Sequence, residues 1–347
     1  MKSLLLTTVL FTCTSIFLSN RSEAQDIHFS QFSETPLLRN PALAGIFSGD
    51  IRVQAVFRNQ WSSVTVPFQT SALNAEYKLP VGQADDFLTI GGAVLYDKAG
   101  SISLTSTHVL PTLNYHKSLS EYRNMYLSAG FSAGLVQRKY DLSKMTTNSQ
   151  FDGMDYDPSL GTGELFSNGN YMYFDGSAGL SFNSQIGENV DDNFYMGVAY
   201  HHFNRSAKGS FSGNLNSPNV DPKWVYSAGL KTNVNDYSYL TFYGDYSSQG
   251  PHTEIIGGML YSLKLDESPD DPRYVFTGGG FLRWNDAFVP VVKLQTTPLT
   301  FALSYDVNIS QLKSSSQSRG GFELSVSYQK FLDRDNPLRN AVRCPAF

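Results

Sequence analysis

Apolar and polar residues alternate along much of this chain, and that period of two constrains its fold more than any other feature. Between Asn124 and Gln137, one parity is apolar and the other is small or polar. Successive side chains on a β-strand point to opposite faces, so this stretch predicts a strand with one apolar face. The same alternation recurs near 51–58, 70–79, 172–183, 299–307 and 322–329.

The composition of the polar faces favours a membrane barrel over a soluble sandwich. A sandwich carries charge on its outer faces, whereas these faces hold mostly Ser, Gly, Asn and Thr, and charged residues make up only 16% of the chain. A barrel in an outer membrane turns its apolar faces to lipid and its polar faces to the lumen. Aromatic residues near the strand ends fit interfacial girdles, although ordinary β-strands are also rich in aromatics. These residues are Phe57, Trp61, Tyr77, Tyr96, Tyr200, Trp224, Tyr261 and Trp284.

Fourteen segments fit the pattern, and an even number is what a single-chain bacterial barrel requires. They lie near 50–58, 68–79, 87–98, 103–117, 124–138, 171–186, 194–202, 223–233, 237–247, 252–263, 274–283, 287–295, 299–309 and 320–331. The connections after even-numbered segments are all short, whereas those after odd-numbered segments include 139–170, 203–222 and 310–319. Short periplasmic turns and long outer loops are typical of such barrels. The chain is therefore predicted to be all-β, a transmembrane antiparallel up-and-down β-barrel of about 14 strands.

Charge and cysteine content exclude other classes. The net charge is -5 with no basic cluster, which argues against nucleic-acid binding. So few charges also argue against a helical bundle. Residues 1–24 are predicted to be a signal peptide, with Lys2 before the apolar stretch Leu4 to Leu18 and small residues before Gln25. Its removal leaves Cys344 as the one cysteine, so no internal disulfide framework is expected.

The remaining organisation follows from these boundaries. Residues 25–49 are predicted to be a periplasmic N-terminal segment, 50–331 the outer-membrane β-barrel and 332–347 a periplasmic C-terminal tail, so that both termini are periplasmic. Fourteen strands enclose more space than barrel side chains alone fill. The lumen is then wet, plugged by a loop or filled by a terminal segment, and the two terminal segments are candidates either to plug it or to meet other machinery.

Two local features are candidates for chemical sites. Asp152, Asp155 and Asp157 lie close enough in sequence to hold calcium, but the EF-hand spacing and its late Glu are absent, so a solvated, turn-rich loop is favoured. His201 and His202 are expected to point to opposite faces of a strand, which disfavours a shared metal ion. Familiar catalytic motifs and phosphate-binding loops are also absent. We therefore expect no enzyme activity, no cofactor and no metal.

A set of short elements occurs in order along the chain. They are Gln25–Phe32, Asn40–Gly45, Phe151–Gly153 with Asp157-Pro158, Tyr173–Asp175, His201–Asn204, Arg283 with Asn285–Ala287, Ser304–Val307 with Ser310 and Leu312, Gly321 with Glu323–Ser325, and Arg343–Pro345. Their ordered combination resembles the PorP/SprF family, outer-membrane proteins of the type IX secretion system in gliding and secreting Bacteroidetes. One departure is Arg205-Ser206, where the family pattern would have Gln-Pro.

The resemblance implies a function in protein secretion. Family members are linked with secretion and surface anchoring of particular cargo proteins, including gliding adhesins, which carry a C-terminal sorting domain. It implies as partners outer-membrane lipid, such a surface protein and other components of the secretion system. The loops supply a candidate protein-contact surface, rich in aromatic and adaptable polar residues. Its residues are Phe151, Asp152, Asp155, Tyr156, Asp157, His202, Phe203 and Asn204. The alternatives are a diffusion channel for small solutes and a secreted soluble sandwich.

Overall fold

Fourteen antiparallel strands close into one barrel in the computed structural model of the chain. The structure describes residues 26–61, 66–81, 85–120, 123–163, 169–187, 189, 191–204, 220–269, 272–310 and 319–332. The strands are β1 Ile51–Gln60, β2 Phe68–Pro80, β3 Phe87–Ala99, β4 Leu104–Ser118, β5 Met125–Lys139, β6 Asn170–Gln185, β7 Asn193–His201, β8 Lys223–Asn235, β9 Ser238–Gln249, β10 His252–Lys264, β11 Tyr274–Arg283, β12 Ala287–Thr296, β13 Leu299–Asn308 and β14 Arg319–Lys330. The predicted signal peptide and all but Leu332 of the predicted C-terminal tail lie outside these residues.

Each strand pairs with its neighbours in sequence, and β1 pairs with β14 to close the ring. In that closing pair Ile51 lies opposite Lys330 and Gln60 lies opposite Gly321. Closure matters because an open strand edge in lipid would leave backbone groups unpaired, at several kcal/mol each. The predicted fold class and strand number are confirmed, and every predicted strand end falls within two residues of the observed one.

The alternation seen in the sequence separates the two surfaces of the wall. On β5, Leu127, Phe131 and Leu135 point outward and are each about half exposed, whereas Ser128 and Ser132 point into the lumen and are buried. Outward aromatic residues lie near both ends of the barrel, as the girdle interpretation requires. They include Trp224, Tyr96 and Trp284 near one end and Tyr115, Tyr261 and Tyr274 near the other. Among the described residues, no helix is long and apolar enough to cross a membrane.

The two ends of the barrel differ in their connections. We call the end with the connections after odd-numbered strands the loop end, because the two longest connections, β5 to β6 and β7 to β8, join their strands there. The opposite end, with the connections after even-numbered strands, is the turn end, and its connections are short. Asp50 and Leu332 lie at the turn end, where the backbone amide of Leu332 donates to the Asp50 carboxylate at 2.8 Å.

Residues 26–49, which we call the lumen segment, run through the inside of the barrel. The segment contains the short helix α1 at Pro36–Arg39, flanked by single 3-10 turns at Phe32–Glu34 and Pro41–Leu43. Eighteen of its 24 residues are buried. Of the possibilities that the sequence left open for the lumen, the described residues correspond to filling by a terminal segment.

The lumen segment also separates the ends of the described chain. Asp26 lies at the loop end, beside Lys223 and Gln249, whereas Asp50 and Leu332 lie at the turn end. The expectation that both termini are periplasmic stays a prediction, because residues 1–25 and 333–347 lie outside the described residues. The sequence left two possibilities for residues 25–49, plugging the lumen and meeting other machinery. Residues 26–49 correspond to the first, because inner-wall side chains bind this segment along its whole course.

The lipid-facing surface gives a direct test of the fold. Replacing Leu303, which is half exposed at mid-depth of β13, with arginine should destabilise the barrel by about 2–4 kcal/mol, because a charge then faces hydrocarbon. Urea unfolding in lipid vesicles measures this change. Met154→Arg, in a fully accessible loop, is the matched control and should be nearly neutral. Equal small effects of both variants would contradict the membrane assignment of this face.

Candidate functional site

Charged side chains of the inner wall bind the backbone of the lumen segment near the loop end. The carboxylate of Glu323 accepts hydrogen bonds from the backbone amides of Ser30 and Gln31 at 2.6 and 2.7 Å. Arg58 contacts this carboxylate at 3.4 Å and that of Asp306 at 3.0 Å. Buried charges are tolerated only when paired and hydrogen-bonded. The backbone of the segment and the charged groups of the wall therefore supply each other's hydrogen-bond partners.

A second anchor holds the middle of the segment. The guanidinium of Arg39 forms a bidentate pair with the carboxylate of Asp245 on β9, with Nε at 2.5 Å from Oδ2. It also donates to the hydroxyl of Tyr195 at 3.1 Å. The Nε2 atom of His201 lies 2.9 Å from the Arg39 carbonyl oxygen. Removing one partner of such a buried pair costs about 3–5 kcal/mol, because the other charge is then left uncompensated.

A third anchor lies toward the turn end. The amide of Gly45 donates to Glu76 at 2.7 Å, and Arg52 donates to the same carboxylate at 2.8 Å. The ammonium group of Lys78 donates to the carbonyl of Phe47. Three separate polar anchors thus fix the lumen segment from one mouth of the barrel to the other.

Two inward-facing glycines make room for the segment. Gly130 on β5 and Gly179 on β6 are register neighbours on the inner wall. A Cβ at Gly130 would lie 2.4 Å from the amide nitrogen of Ala42, and one at Gly179 would lie 1.9 Å from Oδ1 of Asn40. The carbonyl of Ala42 accepts from Asn114 at 2.9 Å and from Ser181 at 2.7 Å. Backbone therefore packs directly against the barrel wall here, and only glycine permits so close an approach.

The inner wall is not polar throughout, which differs from the sequence-based expectation. Phe32 packs into an apolar patch on β10 to β12, and its ring centroid lies 5.0 Å from that of Phe281 in an edge-to-face contact. The patch also contains Ile256, Leu260, Val289 and Val291. The run Phe288–Val292 is apolar at both parities. Such a run is typical of a strand that is buried on both faces. It is the feature of the sequence that indicates an apolar patch on the inner wall.

The start of the lumen segment is held by a cluster at the loop end. Nε2 of His202 lies 2.7 Å from a carboxylate oxygen of Asp26, and Nδ1 lies 2.9 Å from Asp175. The ammonium group of Lys223 is 3.7 Å from Asp26, whose amide donates to Gln249 at 3.1 Å. Because both imidazole nitrogens face carboxylate oxygens, both must donate, and His202 is therefore the cation.

The pKa values of this cluster reflect the same contacts. Burial alone would lower the pKa of His202, but the carboxylates of Asp26 and Asp175 outweigh it and raise the pKa to about 10. Burial would raise the pKa of Asp26, yet the charges of His202 and Lys223 hold it well below its ordinary value. The cluster is thus an ion-paired latch at neutral pH.

The two neighbouring histidines both face the lumen, so the prediction that they point to opposite faces is wrong. The strand ends at His201, and His202 adopts a left-handed backbone with φ of 58° that turns its ring inward. Their ring centroids are 6.3 Å apart. Each ring is committed to other partners, His201 to Ser177 and Arg39 and His202 to the latch. Within the described part of the chain, no three His, Cys, Asp or Glu side chains group as a metal site.

The other candidate contact residues fall into two groups. Phe203 packs against Phe131 on the outer surface, with centroids 5.6 Å apart, and covers Gly176. The amide of Asn204 donates to the Phe174 carbonyl at 2.7 Å. These two residues therefore line the barrel wall beside β6, while His202 is buried inside it.

The remaining five candidate contact residues lie in a small hairpin at the loop end. Phe151 and Tyr156 pair across it, and the amide of Asp157 donates to the Gln150 carbonyl at 2.8 Å. Asp152 accepts hydrogen bonds from backbone amides, and Asp157 accepts them from the hydroxyl and the amide of Ser159, which lowers the pKa of both carboxyls. Three apolar side chains, those of Phe151, Met154 and Tyr156, point to solvent, and Met154 is 88% exposed. The hairpin is thus an ordered surface with an apolar and acidic character.

Together these features define an outer-membrane β-barrel whose lumen is filled by its own N-terminal segment and which carries an ordered hairpin at one mouth. A solved structure with a similar fold is the CymD monoaromatic hydrocarbon channel, with a TM-score of 0.50 and 10% identity over 90% of this chain and 96% of that one. The Ralstonia pickettii toluene transporter TbuX gives a TM-score of 0.47 at 10% identity, over 89% of this chain and 96% of that one. At this identity the likeness concerns the barrel fold alone.

The family of the chain is identified by a sequence match, which is more specific than the likeness of fold. The model of the type IX secretion system membrane protein PorP/SprF matches residues 21–328. The chain therefore belongs to the PorP/SprF family, as the sequence elements predicted. No curated protein matches it. The assignment implies interaction with other components of the type IX secretion system.

Displacing the lumen segment should open the barrel. Gly130→Val places a side chain where the backbone of Ala42 lies, so we expect stepwise ion conductance in planar bilayers where the unaltered protein is nearly silent. Gly244→Val is the matched control, because its Cβ would meet open space. If the unaltered protein conducts as well as Gly130→Val, the segment does not block the lumen.

The latch at the loop end predicts a pH dependence. A folded-state pKa above the ordinary value of 6.5 means that the contribution of His202 is complete below about pH 6.5 and is lost as pH rises through about 10. Proteolytic release of the segment start should therefore stay slow at pH 6 to 8 and accelerate above about pH 10. His202→Gln should release it at a rate that hardly depends on pH. A transition centred near pH 6.5 in the unaltered protein would contradict the ion-paired latch.

Proposed function

We propose that this protein is a non-enzymatic barrel of the type IX secretion system that supports secretion and surface anchoring of a specific cargo, such as a gliding adhesin, by binding its C-terminal sorting domain. The observation that carries the proposal is the combination of a filled lumen with an ordered, apolar hairpin at the loop end. The lumen segment occupies the middle of the lumen, so we assign the function to the surfaces at the loop end.

The hairpin suits a protein partner. Phe151, Met154 and Tyr156 expose apolar surface on a segment whose backbone is already ordered by hydrogen bonds. Preorganised aromatic side chains contribute most to protein interfaces, because little conformational entropy is lost when they bind. Asp152, Asp155 and Asp157 add a polar rim of the kind that surrounds such contacts.

The orientation that accompanies this proposal places the loop end at the cell surface and the turn end in the periplasm. Short turns are typical of the periplasmic side and longer loops of the outside. Asp26 would then lie at the outer mouth and Leu332 in the periplasm. Outer-membrane lipid would cover the apolar outer wall between the aromatic girdles.

The alternative function, a diffusion channel for small solutes, requires an open path. The lumen segment occupies that path, and the fold likeness to a hydrocarbon channel carries no information about transport in this chain. Single-channel recording of the unaltered protein separates the two functions. Frequent, steady conductance would favour the channel, whereas a nearly silent barrel favours the anchor.

Deleting the gene should remove one or a few large proteins from the surface of intact cells while most other secreted proteins remain, as measured by surface-proteome mass spectrometry. Returning the chain with Phe151→Ser, Met154→Ser and Tyr156→Ser should restore these proteins at least about tenfold less well, since truncating interface anchors costs more than 1 kcal/mol each.

The matched control is Leu265→Ser, an equally exposed apolar residue at the turn end. It should restore the surface proteins fully. An unchanged surface proteome after gene deletion would overturn the proposed function. Full restoration by the triple variant would exclude the hairpin as its contact surface.

A further inference from the structure

A row of lumen-facing residues lies at one height near the loop end, on β2 to β6. Register places Thr70 opposite Asp97, Asp97 opposite Ser106, Ser106 opposite Arg138, and Arg138 opposite Tyr171. Neighbouring strands are about 4.8 Å apart, so Asp97 and Arg138 are about 10 Å apart along the wall. The row therefore presents an acid, a hydroxyl and a guanidinium side by side.

The lumen segment does not cover this part of the wall with polar contacts. The row continues past Thr70 to Arg58 and Glu323, and these two bind the segment. By contrast, no described residue of the segment hydrogen-bonds to Asp97, Ser106 or Arg138. On this side Phe29 packs against Leu95, one inward position below Asp97. We call this stretch of the inner wall, with Asp97, Ser106 and Arg138, the vestibule.

Arg138 differs from the other inward-facing arginines of the described chain. Arg39, Arg52, Arg58 and Arg283 each form an ion pair with a buried carboxylate. Arg138 has neither an ion pair nor a hydrogen bond with any described residue, although its Nε atom is buried. A guanidinium is a rigid donor suited to a carboxylate, and a buried donor without an acceptor is costly.

Asp97 is similarly uncommitted to a cation. Its carboxylate accepts from the hydroxyl of Thr70 at 2.7 Å and forms no ion pair within the described residues. Between the two charges, the hydroxyl of Ser106 lies 2.9 Å from Nε2 of His108. Asp97 and Arg138 are both half-buried, so each keeps part of its surface accessible.

We propose that the vestibule binds an extended peptide segment of the partner, with a carboxylate on Arg138 and a donor group on Asp97. Residues of an extended chain advance about 3.3 Å each, so about three residues span the two charges. This inference rests on the proposed function, since it names a subsite for the same partner at the same mouth. The carboxylate is either the C-terminus of the partner or an acidic side chain.

Anion selection in the vestibule can be tested without the partner. Ser106→Cys, in a Cys344→Ser background, gives a reporter thiol between the two charges. We would compare its modification rates with an anionic reagent, 2-sulfonatoethyl methanethiosulfonate, and a cationic one, 2-(trimethylammonio)ethyl methanethiosulfonate. Adding Arg138→Gln should lower the anionic-to-cationic rate ratio at least about tenfold, as loss of one charged hydrogen bond predicts.

Two controls separate charge from structure. Arg138→Lys should keep most of the anion preference, and Lys139→Gln, on the exposed neighbouring residue, should leave the ratio unchanged. A reporter that reacts with neither reagent would show that the vestibule is closed and would overturn the inference. So would an equal rate ratio with and without Arg138.

Short peptides distinguish the source of the carboxylate. Acetyl-tetra-alanine with a free C-terminus and acetyl-Ala-Ala-Asp-Ala-amide should both slow the modification if any carboxylate suffices, and only the first if the chain end is required. Acetyl-tetra-alanine-amide should have no effect. Protection by the amide that equals protection by both acids would contradict carboxylate binding.

In cells, the deletion strain separates this inference from the proposed function. If gene deletion removes a surface protein and Arg138→Gln restores it at least about tenfold less well than Arg138→Lys, both stand. Full restoration by Arg138→Gln would overturn the vestibule while leaving the proposed function intact. If gene deletion leaves the surface proteome unchanged, the proposed function fails first.

Discussion

The structure depends on the pairing between the backbone of the lumen segment and fixed charges on the inner wall of the barrel. Glu323, Arg39 and Glu76 each take part in one anchor, at successive depths. None of these groups could be buried alone without a large desolvation cost. The buried charges of the wall therefore depend on the segment for their partners, and the buried backbone of the segment depends on the wall. The lumen of the barrel is in this way occupied by its own chain.

This arrangement also explains where the few charges of the protein lie. Only 16% of the residues are charged, and many of those on the strands point inward, where they are paired. The outer wall is left apolar between two aromatic girdles, as hydrocarbon requires. Because the lumen segment crosses the whole barrel, its start meets the long loops at one mouth. The latch, the hairpin and the vestibule thus all lie at the loop end.

The barrel could be predicted from the sequence because alternation is a local signal. Both surfaces of each strand follow from parity, and the strand ends follow from turn residues, so all fourteen strands were found. The course of the lumen segment could not be predicted, since its hydrogen bonds join residues as far apart in sequence as Ser30 and Glu323. The inward turn of His202 depends on a single left-handed backbone angle. The apolar patch around Phe32 is indicated in the sequence by the run Phe288–Val292, which is apolar on both faces of its strand. A purely polar lumen would not require that run.

The most direct test of this account is the location of the two ends of the described chain in intact cells. An epitope placed immediately before Asp26 should bind antibody on unbroken cells, because the lumen segment carries that residue to the loop end. The same epitope placed after Leu332 should become accessible only when the outer membrane is permeabilised. If the epitope before Asp26 were also hidden until permeabilisation, the segment would not cross the barrel toward the cell surface, and the account would be contradicted.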